Sequence, residues 1–356
     1  MNFILAIRPN IQKFNDLYNM IYEICDNYYN NKLTALNIKS SFKSIQDLYQ
    51  LFTPAILDEI KSCHITYIEA ILLLYLENKQ PKYIKRLSCS TFNSVFEFSL
   101  KINYKYNHYA LRLSKNDICK INFNKIENQE WYDNLLYYND ISLKTYLKFY
   151  PNIIDSCYYY HCIDFNNKYY ENKNKIYYTH WSVSKIYTSI YDINKYRSKY
   201  IQIVKQLLKI FEKNELLYFD WKINNFMVDN KDNLILVDTD FENIYSLTAV
   251  CSTHRLTPDP SEKLNKLQLS IKILQSMLLM YISAYLSIIS INKSKTISEY
   301  YMSFKFINKI DKMINNESTI NSVISIVSNG KYNSIPDNKN IKEVINMIKN
   351  KINVIS

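Results

Sequence analysis

The stretch YFDWKINNFMVDNKDNLILVDTDF, residues 218–241, gathers side chains of the kinds that move a phosphoryl group. Lys222 stands two residues after Asp220 and Asn225 five residues after it; FMV and LILV flank the turn DNKDN, and Asp238 closes the second apolar run. A carboxylate can orient a hydroxyl nucleophile, and an ammonium can steady the phosphoryl group in transit. An amide oxygen with a second carboxylate can hold Mg²⁺. A strand pair joined by a short turn would fix both metal ligands on one rigid element. The bland alternative is a polar turn in a chain rich in Asn, Lys and Asp, with Asp238 capping a strand end and Asp240 a turn residue.

The elements around this stretch follow from the hydrophobic periodicity. Over residues 1–80, LYNMIYEICDNYY, SIQDLYQLF and ITYIEAILLLYLENK carry apolar residues at three- and four-residue spacing, which predicts a helical N-terminal extension. Pro81 and the basic KYIKR mark a boundary. SVFEFSLKI, HYALRLS and ICKINF then read as strands, followed by a helical patch at 127–149. IIDSCYYYHCI and KIYYTHWSVS, joined by the polar NNKYYENKN, read as a hairpin. YIQIVKQLLKIFEKNELL is a long amphipathic helix that leads into the polar stretch, and the chain beyond Lys263 reads as helical. The order predicts an α+β protein with two lobes.

Composition excludes some readings and weakens others. Gly330 is the only glycine, so any loop that ordinarily depends on glycine must be built differently. Asn, the next residue most tolerant of left-handed backbone, is expected to replace it at bends such as those near Asn166, Asn167, Asn230 and Asn233. The net charge of +11 comes from scattered lysines rather than a stripe, so no nucleic-acid partner is expected. The seven cysteines include no CxxC pair, and without a secretory signal they fit a reducing, intracellular compartment. ILQSMLLMYISAYLSIISI, residues 273–291, runs nineteen residues without a charge. That is long enough to span a bilayer, but its four serines and Gln275 favour a buried helix, so no membrane span is expected.

Asp220-Trp-Lys222-Ile-Asn-Asn225 resembles the D-x-K-x-x-N catalytic loop of the protein-kinase superfamily, with Asp238-Thr239-Asp240 where D-F-G would stand. Three further segments match in order. SCSTFNSVFEF at 88–98 resembles the glycine-rich loop and its strand, with Ser88, Ser90 and Asn93 in the glycine positions and Val95 in the valine position. NHYALRL resembles V-A-I-K, with Ala110 in the alanine position and Arg112 in the lysine position. DPSEK resembles the end of an activation segment, Pro260 and Glu262 echoing A-P-E. YLKFYPNII at 146–154 is similar to the H-P-N-I junction.

The resemblance covers residues 84 to about 290. It implies a small lobe at 81–181, a large helical lobe at 182–356, a buried central helix at 273–291, and ATP with Mg²⁺ as cofactors. It also implies roles: Asp220 and Lys222 catalytic, Asn225 and Asp238 metal ligands, and Ser90, Asn93, Val95, Ala110 and Arg112 against the nucleotide. Tyr177 to Trp181 would form the hinge; His161 and His180 are packed core or hinge residues rather than catalytic ones.

The departures from the family's pattern are specific. Tyr218 and Phe219 replace the histidine and arginine before the catalytic aspartate. Lys115 and Lys120 are alternatives to Arg112. Glu127, Glu130 and Asp140 all compete to be its carboxylate partner, and Gln275 or Ser276 would have to hold the loop backbone in place of the family's aspartate. The resemblance implies an atypical serine/threonine protein kinase acting on an unidentified protein. A pseudokinase scaffold and a small-molecule kinase of the aminoglycoside or choline type are the alternatives. The AT-rich residue usage and the D-x-D-F ending are similar to divergent kinases of large DNA viruses, poxviruses among them, which would place the chain in host cytoplasm or in a virion. Residues 1–80 would dock on the small lobe or recruit a partner.

Overall fold

The computed structural model describes residues 11–90, 93–116, 120–121, 159–162, 176–177, 180–213, 216–218, 220–237, 244–246, 266–304, 317–337 and 339–355. The expected helical patch at 127–149, the polar turn NNKYYENKN and the DPSEK segment lie outside them. Helix and strand are mixed, and the chain divides into two compact units: Met1–Glu127 with Ser156–Ile186, and Asn128–Asp155 with Tyr187–Ser356.

The first unit joins the N-terminal helices to an antiparallel sheet through one core. The helices are α1 (Ile11–Tyr29), α2 (Ile38–Ser41), α3 (Gln46–Tyr49), α4 (Pro54–Ile60) and α5 (His64–Leu76). The strands are β1 (Lys82–Cys89), β2 (Asn93–Ile102), β3 (Lys105–Ser114), β4 (Lys120–Ile121), β5 (Tyr159–Cys162), β6 (Ile176–Tyr177) and β7 (His180–Ser184). The sheet order is β1-β2-β3-β7-β5, and β4 pairs separately with β6. α5 is buried continuously from Ile65 to Leu74, as a helix must be when other elements cover it all round. Its Tyr67 ring packs 5.5 Å from Phe52 and 6.3 Å from Phe96, and its hydroxyl donates to the Leu51 carbonyl at 2.8 Å. The basic KYIKR segment, read as a boundary, is the start of β1. Six of that strand's side chains from Ile84 on are exposed and its register slips twice, so the alternation that identifies a strand is absent from its sequence.

Asn does replace glycine at bends, though not where expected. Asn31, Asn78, Asn103 and Asn329 have φ between 51° and 57°. Asn103 and Tyr104 both have positive φ and form the two-residue turn between β2 and β3. In the turn DNKDN the left-handed residue is Asp232, at φ 65°, rather than Asn230 or Asn233; Asn166 and Asn167 lie outside the described residues.

The second unit is built on two long helices. α6 (Ile193–Lys213) buries Ile193, Tyr196, Tyr200, Val204, Leu207 and Phe211, a three- and four-residue spacing that makes one apolar stripe. α7 (Lys266–Lys293) contains the uncharged 273–291 stretch and lies in this unit's core, with α8 (Ile297–Phe304), α10 (Ile341–Val354) and α6 against it; α9 (Glu317–Val327) packs on α10. The strands are β8 (Thr188–Ser189), β9 (Leu216–Tyr218), β10 (Phe226–Val228), β11 (Leu234–Leu236) and β12 (Ile244–Ser246), arranged as β11-β10-β8 and β12-β9.

One exposed cluster ties the β10–β11 hairpin to α6. The Asp232 carboxylate accepts from Lys195 Nζ at 2.8 Å, Tyr196 Oη at 2.5 Å and Lys199 Nζ at 2.9 Å. These hydrogen bonds, Lys195's first, hold its pKa well below the ordinary carboxylate range. A depressed folded pKa contributes stability above the unfolded value of about 3.9 and loses it as pH falls through the folded value. Asp232→Asn keeps a residue that tolerates positive φ but removes the charge. Thermal melts should show the variant below wild type at neutral pH, with the gap closing only well below pH ~4 and shrinking in high salt. A gap independent of pH would show that the charge does not anchor the hairpin.

Candidate active site

The loop between β9 and β10 is held by aromatic packing and by buried hydroxyls. Tyr218, at the end of β9, is fully buried; its ring stacks on Phe211 at 5.6 Å and meets Trp221 edge-on at 4.9 Å. Its hydroxyl donates to the Asp220 carbonyl at 3.0 Å. A phenol thus bonds the backbone of the aspartate two residues on.

Trp221 is also fully buried, and its carbonyl accepts from Tyr200 Oη at 2.9 Å and Tyr300 Oη at 3.3 Å. The Tyr300 hydroxyl in turn accepts from the Ile223 amide at 3.1 Å. Ser287 of α7 bonds both tyrosines, at 3.3 Å to Tyr300. Three hydroxyls from three helices therefore fix the loop at Trp221 and Ile223. Burial first, with the neighbouring phenol, raises the Tyr300 pKa well above its usual value, so the hydroxyl remains a donor. Of the two residues expected to hold the loop, Gln275 is exposed and Ser276 is buried; Ser287, three turns further along the same helix, bonds the tyrosines that fix it.

The polar groups converge on Asp220. Lys222 Nζ lies 2.6 Å from Asp220 Oδ2, and Asn225 Nδ2 donates to the same oxygen at 2.8 Å. Asn225 Nδ2 also lies 3.0 Å from the Asp220 carbonyl and 3.2 Å from Tyr218 Oη. Residues Ile223–Asn225 form a single 3-10 turn, which is what swings Asn225 back over Asp220. Asn225 is 4% exposed, while the Asp220 and Lys222 side chains keep 20% and 30% of their surface. The carboxylate is thus oriented by a buried amide and still open to a reactant. The side-chain hydrogen bonds of Asn225 run through Nδ2, which leaves Oδ1 an acceptor suited to a hard cation. The Asn225 carbonyl accepts from the Val237 amide at 2.8 Å, so the hairpin brings the residue preceding Asp238 back to Asn225. Asp238, Thr239 and Asp240 lie outside the described residues. Among the described residues no three His, Cys, Asp or Glu side chains cluster as a metal site.

In the first unit the register gathers the other candidates. Val95 pairs with Arg112, and Arg112 with Ser182, while Ala110 pairs with Glu97 and Ser184. Phe96, Phe98, Leu111, Leu113, Trp181 and Val183 enter the core, so Val95, Ala110 and Arg112 share the opposite face. Glu97 on that face binds His108 Nδ1 at 2.5 Å and Lys85 at 3.6 Å; the His108 bond outweighs burial and lowers its pKa.

Ser90 and Asn93 close the β1–β2 turn on each other. Ser90 N donates to the Asn93 carbonyl at 2.8 Å and Asn93 N to Ser90 Oγ at 3.0 Å. The side chains of Lys120, His161, Tyr177 and His180, and the whole of Glu127, Glu130, Asp140, Pro260 and Glu262, lie outside the described residues. Glu69 of α5 is a buried carboxylate, 2% exposed, that the sequence reading did not single out.

A scan against protein-family models finds no match to the chain, and a search of curated proteins finds none either.

Proposed function

We propose that the chain is an atypical serine/threonine protein kinase with a two-lobed kinase-like fold, transferring the γ-phosphate of ATP to a protein hydroxyl. The observation that carries the reading is the joint hold of Lys222 Nζ and Asn225 Nδ2 on one oxygen of Asp220. An oriented, partly open carboxylate can accept the proton of an incoming hydroxyl, which positions the nucleophile without covalent chemistry. Lys222, already at that carboxylate, supplies positive charge where the transferred group would arrive. Asn225 Oδ1 and Asp238 would hold Mg²⁺, which neutralises charge developing on the phosphate oxygens. Val95, Ala110 and Arg112, sharing one sheet face, would take the nucleotide. Arg112 offers a planar fork rather than a point charge, and a bidentate phosphate contact is the geometry it favours.

The closed Ser90–Asn93 turn favours a second reading, a pseudokinase. The Ser90 and Asn93 amides and the Ser90 hydroxyl are already used within the turn, where a phosphate-binding loop would present such groups to a ligand.

Labelled γ-phosphate transfer from ATP with Mg²⁺, to the chain itself and to generic acidic and basic proteins, tests the proposal. Label on serine or threonine that vanishes on chelation is the expected result. Nucleotide binding without transfer would leave the pseudokinase, and neither binding nor transfer would overturn both readings.

A further inference from the structure

Outside the phosphoryl-transfer candidates, the first unit places two thiols of opposite character beside one hydroxyl. Cys89 ends β1 and is exposed, and it pairs across the strands with Ser94, which is fully buried. Ser94 shares the core face of β2 with Phe96 and Phe98, and its Oγ donates to Cys89 Sγ at 3.7 Å. Cys63 is fully buried at the N-terminal end of α5, and that end is tied to the end of β3: the Asn116 amide donates to the Ser62 carbonyl at 2.7 Å and the Thr66 hydroxyl to the Ser114 carbonyl at 2.9 Å, while Ser114 pairs with Asn93 beside Ser94. Arg86, on β1, and Lys115, just past the end of β3, are the cationic side chains at the Cys89 sulfur.

We propose that Cys89 and Cys63 form a peroxide-responsive pair in which the exposed Cys89 thiolate is oxidised first and the buried Cys63 resolves it to a disulfide. In the first step Cys89 Sγ attacks one oxygen of a hydroperoxide. The S–O bond forms as the O–O bond breaks, sulfur gives up two electrons, and the departing oxygen takes a proton from solvent. In the second step Cys63 Sγ displaces the hydroxyl from the Cys89 sulfenic acid. The S–S bond forms, the S–O bond breaks, and the Cys63 proton leaves with the hydroxyl as water. The product ties the β1–β2 turn to α5.

The electrostatics agree with this division of labour. At Cys89 burial works against ionisation, but the Ser94 and Lys115 hydrogen bonds and the Arg86 charge outweigh it and lower the pKa. At Cys63 burial dominates and pushes the thiol up to about 12, so it is not the thiol that reacts with peroxide first. Two separate residues thus supply the reactive thiolate and the quiet partner. The inference stands whether or not the chain transfers phosphate.

The test is peptide mapping of the full chain after hydrogen peroxide, reading each cysteine separately. The expected product is a Cys63–Cys89 cross-linked peptide. Cys63→Ser should stop Cys89 at a sulfenic acid that a cyclic 1,3-diketone traps, and Cys89→Ser should leave Cys63 a thiol. Sulfenic acid accumulating on Cys89 in wild type as much as in Cys63→Ser would overturn the pairing. A Cys89 that stays reduced would overturn the whole proposal. If Cys63→Ser does not fold, the pH profile of Cys89 alkylation in wild type decides the first step. Its midpoint should lie below the free thiol's value of about 8.5, and Arg86→Ala with Lys115→Ala should raise it, slowing alkylation at neutral pH about tenfold. A midpoint at or above the free value would overturn the proposal.

Discussion

Tyr200→Phe combined with Tyr300→Phe lowers the stability of the chain by roughly 3–6 kcal/mol while leaving its packing almost unchanged. Both rings stay the same size, so no cavity opens. What disappears are the hydroxyls on the Trp221 carbonyl, the acceptor for the Ile223 amide, and the partners of Ser287. Each buried group left without a partner costs about 1–3 kcal/mol. Total stability of a domain is about 5–15 kcal/mol, so a large share is lost. Each single variant should cost less than half as much, because Ser287 and the remaining tyrosine can still pair. Thermal denaturation checks this: a fall in Tm of roughly 10 °C or more is expected, and a fall of about 2 °C or less would mean the hydroxyls contribute little.

Asn225→Ala has its larger effect on turnover. The substitution removes the donor to Asp220 Oδ2 and the amide oxygen assigned to Mg²⁺. A carboxylate free to rotate samples the productive geometry rarely, and misplacement by about 1 Å costs on the order of 10²-fold in rate. Loss of a metal ligand adds a rise in the Mg²⁺ concentration needed for half-maximal rate. The variant should therefore show a lower kcat together with a shifted Mg²⁺ titration. A lowered kcat with an unshifted titration would confine Asn225 to positioning Asp220.

Elements with a strong period were legible before the structure. α1, α5 and α6 follow from three- and four-residue apolar spacing, and α7 from its uncharged run, which belongs to a core helix. β2 and β3 follow from short runs rich in Phe, Tyr, Ile and Leu, whereas the face that Val95, Ala110 and Arg112 share emerges only from the register. β1 was not legible, because an edge strand with exposed lysines on both faces has no apolar side to reveal it.

At the site, the Asp220-Lys222-Asn225 spacing was informative because the contacts are local: a single 3-10 turn closes them. Tyr200 precedes Trp221 by 21 residues, Tyr300 follows its loop partners by 77 and 79, and Ser287 lies 87 residues from Tyr200, so nothing local marks these hydroxyls. In a chain with 34 tyrosines, three buried hydroxyls cannot be told from the rest by type. Asp232 was similarly hidden, since its partners lie 33 to 37 residues away on α6.

The proposed function requires Asp220 to orient the hydroxyl in phosphoryl transfer. Its most direct test is the single-turnover rate of labelled γ-phosphate transfer by wild type and by Asp220→Asn, at saturating ATP and Mg²⁺. Asn is the same size and can keep the loop in place while losing the basic oxygen, so binding should persist while the rate falls about 10²–10⁴-fold. Equal rates in the two proteins, with label reaching the same hydroxyls, would contradict the account.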